Sequence, residues 1–285
     1  MMCQWKELTM ILPAWLKGIL DTQAEQTLQE LRLRINSPPE LILHSGSVLG
    51  KGTVSQEDLT HIVNTASRYS PWAATTAAKG YLTAPGGHRI GLCGEAVYRE
   101  PAVTGIREVT SVCIRVARDF PGIAPDSASE MGSVLILGAP GWGKTTLLRD
   151  LARQIAKTRT LCVVDERGEL FPAGFRRGDR MDVLLGCPKH LGIPMVLRTM
   201  GPEYIAVDEI TEERDCDALI QAANCGVRLL ATAHAGSLGD FIRRPAYQKL
   251  REHGIFDTCL ILRKDKSWRT ERMDGCTASG LVQYW

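Results

Sequence analysis

The chain has little of what marks several large protein classes. Charge excess is almost absent: 34 Lys and Arg stand against 32 Asp and Glu, a net of +2. That balance gives no electrostatic reason to expect nucleic acid, and no basic stripe interleaved with aromatic residues offers a stacking platform for single strands. Long apolar runs are missing too. Leu8–Leu12 is preceded by Glu7, followed at once by Pro13 and then by Lys17, which leaves it too short for a signal peptide or a span. No other run approaches the roughly 18 residues that a crossing helix needs. The expectation is a soluble, cytoplasmic protein, peripheral to a membrane only through partners. Nine cysteines form no CxxC pair and six histidines no cluster at metal spacing, which favours buried thiols in a reducing compartment over zinc or disulfides. No internal repeat or low-complexity tract is present. What remains is an ordinary globular composition, in 285 residues that accommodate one large domain or two ordinary ones.

The informative stretch is SVLILGAPGWGKTTLLRDL, Ser133–Leu151. Val134–Leu137 is an apolar run of strand length bounded by glycine. It leads into Gly138-Ala139-Pro140-Gly141-Trp142-Gly143-Lys144-Thr145, with Thr146 next, and then Leu147, Leu148 and Leu151 fall at helical spacing. Strand, glycine-rich loop and helix in that order distinguish a working P-loop from a chance match. Glycines let backbone N–H groups turn inward around phosphates, and the new helix aims its positive end at the same anion. Lys144 is expected to reach the β- and γ-phosphates of ATP or GTP, and the Thr145 hydroxyl to ligate Mg²⁺. Trp142 occupies a position usually held by a small residue, and its side chain is expected to point away from the phosphates.

Hydrolysis also needs a metal anchor and a way to activate water. Tyr204–Val207 is an apolar run ending in Asp208-Glu209, the Walker B pattern: Asp208 as the metal anchor, Glu209 as the general base. Leu161–Val164 ends likewise in Asp165-Glu166. Glu166 is a second candidate for orienting water or metal, with an N-cap or an ion pair to Arg167 as the structural alternative. Leu229–Ala231 runs into Thr232-Ala233-His234, where Thr232 or His234 either senses a γ-phosphate or serves the fold. An arginine on the transition state is worth about 10³–10⁵ in rate. Arg89, Arg107, Arg115, Arg118 and Arg198 are the candidates, and each is as readily a surface residue.

Before the P-loop, Leu31–Ile35 alternates as a half-buried strand and Leu41–Leu43 reads as another. Ser55-x-x-Asp58 is a capping box leading a helix through Leu59, Ile62, Val63 and Ala66. Tyr81–Thr83 and His88–Cys93 form a hairpin, and Val112–Val116 a further strand. Residues 1–118 therefore read as a smaller α+β domain, 119–132 as a Pro/Gly/Ser-rich linker, and 133–285 as an α/β P-loop domain. In the latter, strands at Val134–Leu137, Leu161–Val164, Ile205–Val207 and Arg228–Ala231 alternate with helices near Lys189–Met200 and Glu212–Ala223. The alternation predicts a RecA-like parallel sheet with nucleotide at the strands' carboxyl ends.

Taken together, these segments resemble the stage III sporulation protein AA family of endospore-forming bacteria, a sporulation relative of the type II and type IV secretion and pilus-motor ATPases. The likeness runs through LQELRLRINSP (Leu28–Pro38), GGHRIGLCGEAV (Gly86–Val97), GAPGWGKTTLLRDLAR (Gly138–Arg153) and VVDERGEL (Val163–Leu170). It continues in DVLLGCPK (Asp182–Lys189), LRTMGPEYIAVDEI (Leu197–Ile210), LLATAH (Leu229–His234) and RRP (Arg243–Pro245). The resemblance implies four boxes around the nucleotide: Walker A at Gly138–Thr145, Asp at Asp165 and Glu166, Walker B at Asp208 and Glu209, and His at Thr232 and His234. It also implies an N-terminal domain supplying Arg89, Arg107 and Arg115, and hexameric rings that work on membrane proteins of a sporulation complex. Thr211 follows Walker B where the secretion ATPases typically have a nearby arginine, so no arginine role is expected just there. Two other readings stay open: a nucleic-acid-stimulated P-loop ATPase, and a scaffold gated by ATP with negligible turnover.

Overall fold

A computed structural model describes residues 2–3, 5–20, 22–68, 80–172, 174–273 and 282–283. It divides into two compact units, one of Met1–Asp119 with Pro172–Phe175, the other of Phe120–Phe171 with Arg176–Trp285.

The first unit holds a six-stranded antiparallel sheet. Its order is Gly46–Leu49, Glu40–Leu43, Leu28–Arg34, Ala102–Arg115, Arg89–Arg99 and Tyr81–Thr83. Alternation in the central strand does what its period dictates: Leu31 and Leu33 are buried opposite Ile114 and Val112, while Arg32 and Arg34 turn outward to Glu30 and Glu40. Helix Gln56–Arg68 buries Leu59, Ile62 and Ala66 in the same core. Its capping box is closed both ways: the Ser55 hydroxyl accepts the Asp58 N–H at 3.1 Å, and the Asp58 carboxylate accepts the Ser55 N–H at 2.9 Å.

The hairpin Arg89–Arg99/Ala102–Arg115 is far longer than the sequence suggests. Its outer half exposes Tyr98 and Val103 and so shows no in/out alternation. A bulge between Cys93 and Glu95 marks where the buried half ends. There Gly94 approaches so closely that a Cβ would stand 2.6 Å from the Glu108 carbonyl oxygen.

The second unit is an eight-stranded sheet ordered Met181–Leu185, Leu161–Asp165, Tyr204–Val207, Arg228–Ala233, Val134–Leu137, Thr258–Leu262, Trp268–Arg272 and Val282–Gln283. The first six run parallel and the last two close the edge antiparallel. The five inner parallel strands are almost wholly buried because both faces are covered, whereas the edge strand Met181–Leu185 carries Asp182 and buries only Met181. Leu135, Val164 and Ile205 pack against Ile193, Cys216 and Leu219 of helices Lys189–Met200 and Glu213–Asn224. Ile136, Val163 and Leu230 pack against Leu147, Leu148 and Leu151 of helix Lys144–Ile155. Four strands of this sheet lie outside those the sequence predicts: Met181–Leu185, Thr258–Leu262, Trp268–Arg272 and Val282–Gln283. Thr258–Leu262 is buried along its whole length, and its Cys-Leu-Ile-Leu run is the same kind of apolar signal that marks its neighbours.

Of residues 119–132, read as linker, 120–132 group with the second unit. The cause is Asp150, a fully buried acid on the P-loop helix, whose carboxylate accepts the N–H groups of Gly122 at 3.0 Å and Ala124 at 2.7 Å. Its other oxygen pairs with buried Arg153 at 2.6 Å. The thiols divide: burial pushes Cys162 up to about 11 and Cys216 up to about 12, while Cys93 and Cys225 are exposed.

Replacing Asp150 with Ala removes at once the acceptor of two N–H groups and the carboxylate paired with a buried guanidinium. Asp150→Ala is therefore predicted to lower stability by about 3–5 kcal/mol in urea unfolding; a loss under about 1 kcal/mol would show that the contacts are dispensable.

Candidate functional site

The sheet's parallel register assembles the site. With Leu161, Tyr204 and Arg228 aligned at the start of their strands, the carboxyl ends at Asp165, Asp208 and Thr232 arrive together beside the P-loop. Gly141 (φ 75°) and Gly143 (φ 101°) take the left-handed conformation that lets the loop wind. Gly138 is a matter of space: a Cβ there would lie 3.3 Å from the Leu262 Cβ. Ala139 and Thr146 are half-buried, Pro140 is exposed, and Trp142 leans on the core cluster that contains Leu147 and Leu148.

Lys144 is buried, and its ammonium donates to the Ala139 carbonyl at 3.2 Å and lies 3.0 Å from the His234 Nδ1. Burial pushes its pKa below the usual lysine value, while Asp208 and Glu209 oppose that shift. The ammonium has only donors, so His234 Nδ1 accepts. The ring proton then sits on Nε2, which donates to the Glu209 Oε1 at 3.0 Å. Arg167 holds the other Glu209 oxygen at 3.0 Å.

Asp208 is the hub. One oxygen accepts the Thr145 hydroxyl at 2.7 Å; the other accepts the Thr232 hydroxyl at 2.6 Å and the Glu209 N–H at 3.1 Å. Thr232 also accepts that N–H, at 2.7 Å. These contacts hold Glu209 at φ 46°, a left-handed conformation that costs a non-glycine residue about 1–3 kcal/mol. Backbone strain of this kind persists where surrounding contacts over-determine it, often at functional sites.

The second acidic pair divides its duties. Asp165 is buried and accepts the N–H groups of Glu169 at 3.0 Å, Leu170 at 2.9 Å and Phe171 at 3.1 Å, so it closes the following loop. Burial raises its pKa, and nearby Asp208 adds to the rise, although the three N–H groups pull the other way. Glu166 lines a small cavity with Asp208 and Glu209. It pairs with Lys189 at 2.6 Å and not with Arg167. Lys189 is buried and stands 3.6 Å from Asp215 as well. Lys189 and Arg167 were missed as site residues. The available clue was a lysine opening a helix, where the dipole disfavours a cation unless an acid meets it.

Arginine candidates are dispersed. Arg198 is exposed and bonds its own helix at the Pro194 carbonyl, about 13 Å along the axis from Lys189. In the first unit, Arg89 and Arg115 are register partners lining a cleft of about 200 Å³. The Arg89 guanidinium lies 4.0 Å over the Tyr81 ring, and Arg115 is 3.3 Å from Glu30. Arg118 donates to the Leu28 carbonyl, and Arg107 pairs with Glu95 roughly 25 Å along the strand from Arg115.

Residues 2–275 match the family described as Sporulation stage III, protein AA. The chain belongs to that family. Stage III sporulation protein AA of Bacillus subtilis is 39% identical over 282 residues, covering 91% of each chain. Among solved structures, the Legionella pneumophila ATPase DotB superposes with a TM-score of 0.59 at 15% identity, over 93% of this chain and 82% of DotB. The pilus retraction motor PilT, solved with bound ADP, superposes with a TM-score of 0.60 at 14% identity, over 87% of this chain and 77% of PilT. At such identities the likeness is one of fold, and that fold is the RecA-like P-loop α/β sheet. This stage III family member thus carries it with the Asp208 hub at the strand ends.

Because Asp165 holds its proton more tightly folded than unfolded, its contribution to stability is complete below the ordinary carboxylate value and is lost as pH rises through the raised folded value. The unfolding free energy of the native chain minus that of Asp165→Asn is predicted to fall as pH climbs from about 4, with urea titrations at each pH as the readout. A difference that rises with pH would reverse the assignment.

Proposed function

We propose that the chain is a Mg²⁺-dependent ATPase that works as a homo-oligomer, most economically a hexameric ring, and energises a sporulation channel complex at the forespore membrane. One observation carries the enzymatic part. Lys144, Thr145, Asp208, Glu209 and His234 form a continuous set of polar contacts at one sheet edge, directly on the glycine loop. The Bacillus subtilis relative's name and the likeness to an ATPase and a pilus motor support the setting. No helix among the described residues is long and apolar enough to cross a membrane, and the attachment proposed is through membrane partners.

The residues fit Mg²⁺. A Thr145 hydroxyl and an Asp208 carboxylate within 2.7 Å of each other are hard oxygen donors, and Mg²⁺ takes one or two such protein ligands with phosphate and water completing the shell. Bound there, the ion supplies neutralisation of charge on the phosphoryl oxygens. Lys144 gives up the Ala139 carbonyl for the phosphates. Glu209 accepts the proton of the attacking water, held on its backbone by Thr232 and Asp208. His234, spanning Lys144 and Glu209, is placed to register a γ-phosphate. Lys189 positions Glu166, and Arg89 and Arg115 are the preferred sources of a transition-state cation.

ATP binding and turnover of the purified chain, measured across protein concentration, test this. Lys144→Ala is expected to lose binding. Glu209→Gln is expected to bind ATP while turning over at least about 10²-fold more slowly, and chelation of Mg²⁺ to abolish activity. Activity should rise more than linearly with concentration if sites complete on assembly. Normal turnover in Glu209→Gln sinks the assignment. Tight binding with negligible turnover points to the ATP-gated scaffold, and stimulation by single-stranded nucleic acid that falls with salt points to the nucleic-acid-dependent class.

A further inference from the structure

The turn joining strands Thr258–Leu262 and Trp268–Arg272 is tightly made. Arg263 donates its N–H to the Ser267 carbonyl at 2.8 Å, Lys266 donates to the Arg263 carbonyl at 3.1 Å, and the Asp265 carboxylate accepts both the N–H and hydroxyl of Ser267. Its last loop residue sits at φ 70°, the left-handed position where hairpins of this length favour glycine. Here it is Lys266. A lysine kept where glycine is cheaper invites the question of what its side chain does.

That side chain crosses to the P-loop. Its ammonium donates to the Gly141 carbonyl at 2.6 Å, and burial pushes its pKa below the usual lysine value. The Gly141 carbonyl and the Trp142 N–H belong to one trans peptide, so they point to opposite sides. Trp142 donates to the Ala139 carbonyl at 3.3 Å, the same oxygen that receives the Lys144 ammonium. Trp142's N–H and Lys144 thus converge on the loop's inner side, while Gly141's carbonyl faces Lys266. We infer that Lys266 is a positioning residue for nucleotide binding: by tethering the Gly141 carbonyl it keeps that oxygen from rotating inward, where it would repel phosphate, and keeps the Trp142 N–H on the phosphate side. This rests on the nucleotide-binding reading above. Loop order that is set before binding need not be imposed during it.

The test uses the full chain, with Mg²⁺·ADP as calorimetric probe and Mg²⁺·ATP for turnover. Lys266→Gly suits the turn's backbone, so the nucleotide-free melting temperature should stay within a few degrees of native. ADP affinity should nevertheless fall roughly three- to ten-fold, the value of one hydrogen bond. KM for ATP should rise by a similar factor with kcat little changed, and Lys266→Arg should restore most of the affinity. Native affinity in a folded Lys266→Gly variant overturns the inference while leaving the ATPase reading intact, provided Lys144→Ala loses binding. A folded native chain that binds no ADP overturns both.

Discussion

The arrangement depends on the Asp208 carboxylate, which accepts from Thr145 on one oxygen and from Thr232 and the Glu209 backbone on the other. Those donors come from three separate elements: the P-loop helix, the strand Arg228–Ala233, and the turn leaving Asp208's own strand. One anion therefore references the glycine loop to two strand ends. It can do so only because parallel pairing puts the ends in register, and that pairing is held by apolar packing on both faces. A register slip of one residue would turn Asp208 and Thr232 to the other face, so the large apolar term fixes the small polar one.

The charges at this edge are paired unequally. Glu209 has Arg167 and His234, and Glu166 has buried Lys189. Among the described residues, Lys144 has only a carbonyl and an imidazole nitrogen at hydrogen-bond distance, with the carboxylates acting on it from farther away. A buried cation satisfied by neutral acceptors carries a desolvation cost that a direct anionic partner would offset. This asymmetry suits the loop to the phosphate-binding role proposed for it, whereas a lysine already paired with a carboxylate would have to break that pair first.

How much of this the sequence disclosed depends on the distance over which each signal acts. The P-loop, its strand and its helix were legible because the pattern is contiguous and each part restricts the next. The Asp208 strand was legible as an apolar run with a polar end, and the Ser55–Asp58 capping box as a three-residue reciprocity that the structure closes. What was hidden joins distant segments: Asp150 with Gly122 and Ala124, Lys189 with Glu166, Arg167 with Glu209. Periodicity is silent on such pairs. The Pro, Gly and Ser of 119–132 mark irregular backbone without saying whether a buried carboxylate receives its N–H groups, so the tie of Gly122 and Ala124 to Asp150 was not legible. The outer hairpin was hidden differently: with both faces exposed, it had no alternation to read.

His234 links the two halves of the chemistry. Its ring spans 3.0 Å to Lys144 and 3.0 Å to Glu209, with one nitrogen accepting and the other donating. In the proposed reaction, a γ-phosphate that drew the Lys144 ammonium away would remove the donor to Nδ1, and the ring would answer by turning, by shifting its proton or by taking up a phosphate contact. Each response would change what Glu209 receives at Nε2, so under that proposal its freedom to accept a proton from water would follow phosphate occupancy through a single imidazole. The left-handed backbone of Glu209 points the same way. Thr232 and Asp208 hold the Glu209 main chain against its own preference, which would keep it fixed while the carboxylate changed partners, as the proposed base must between waiting and acting.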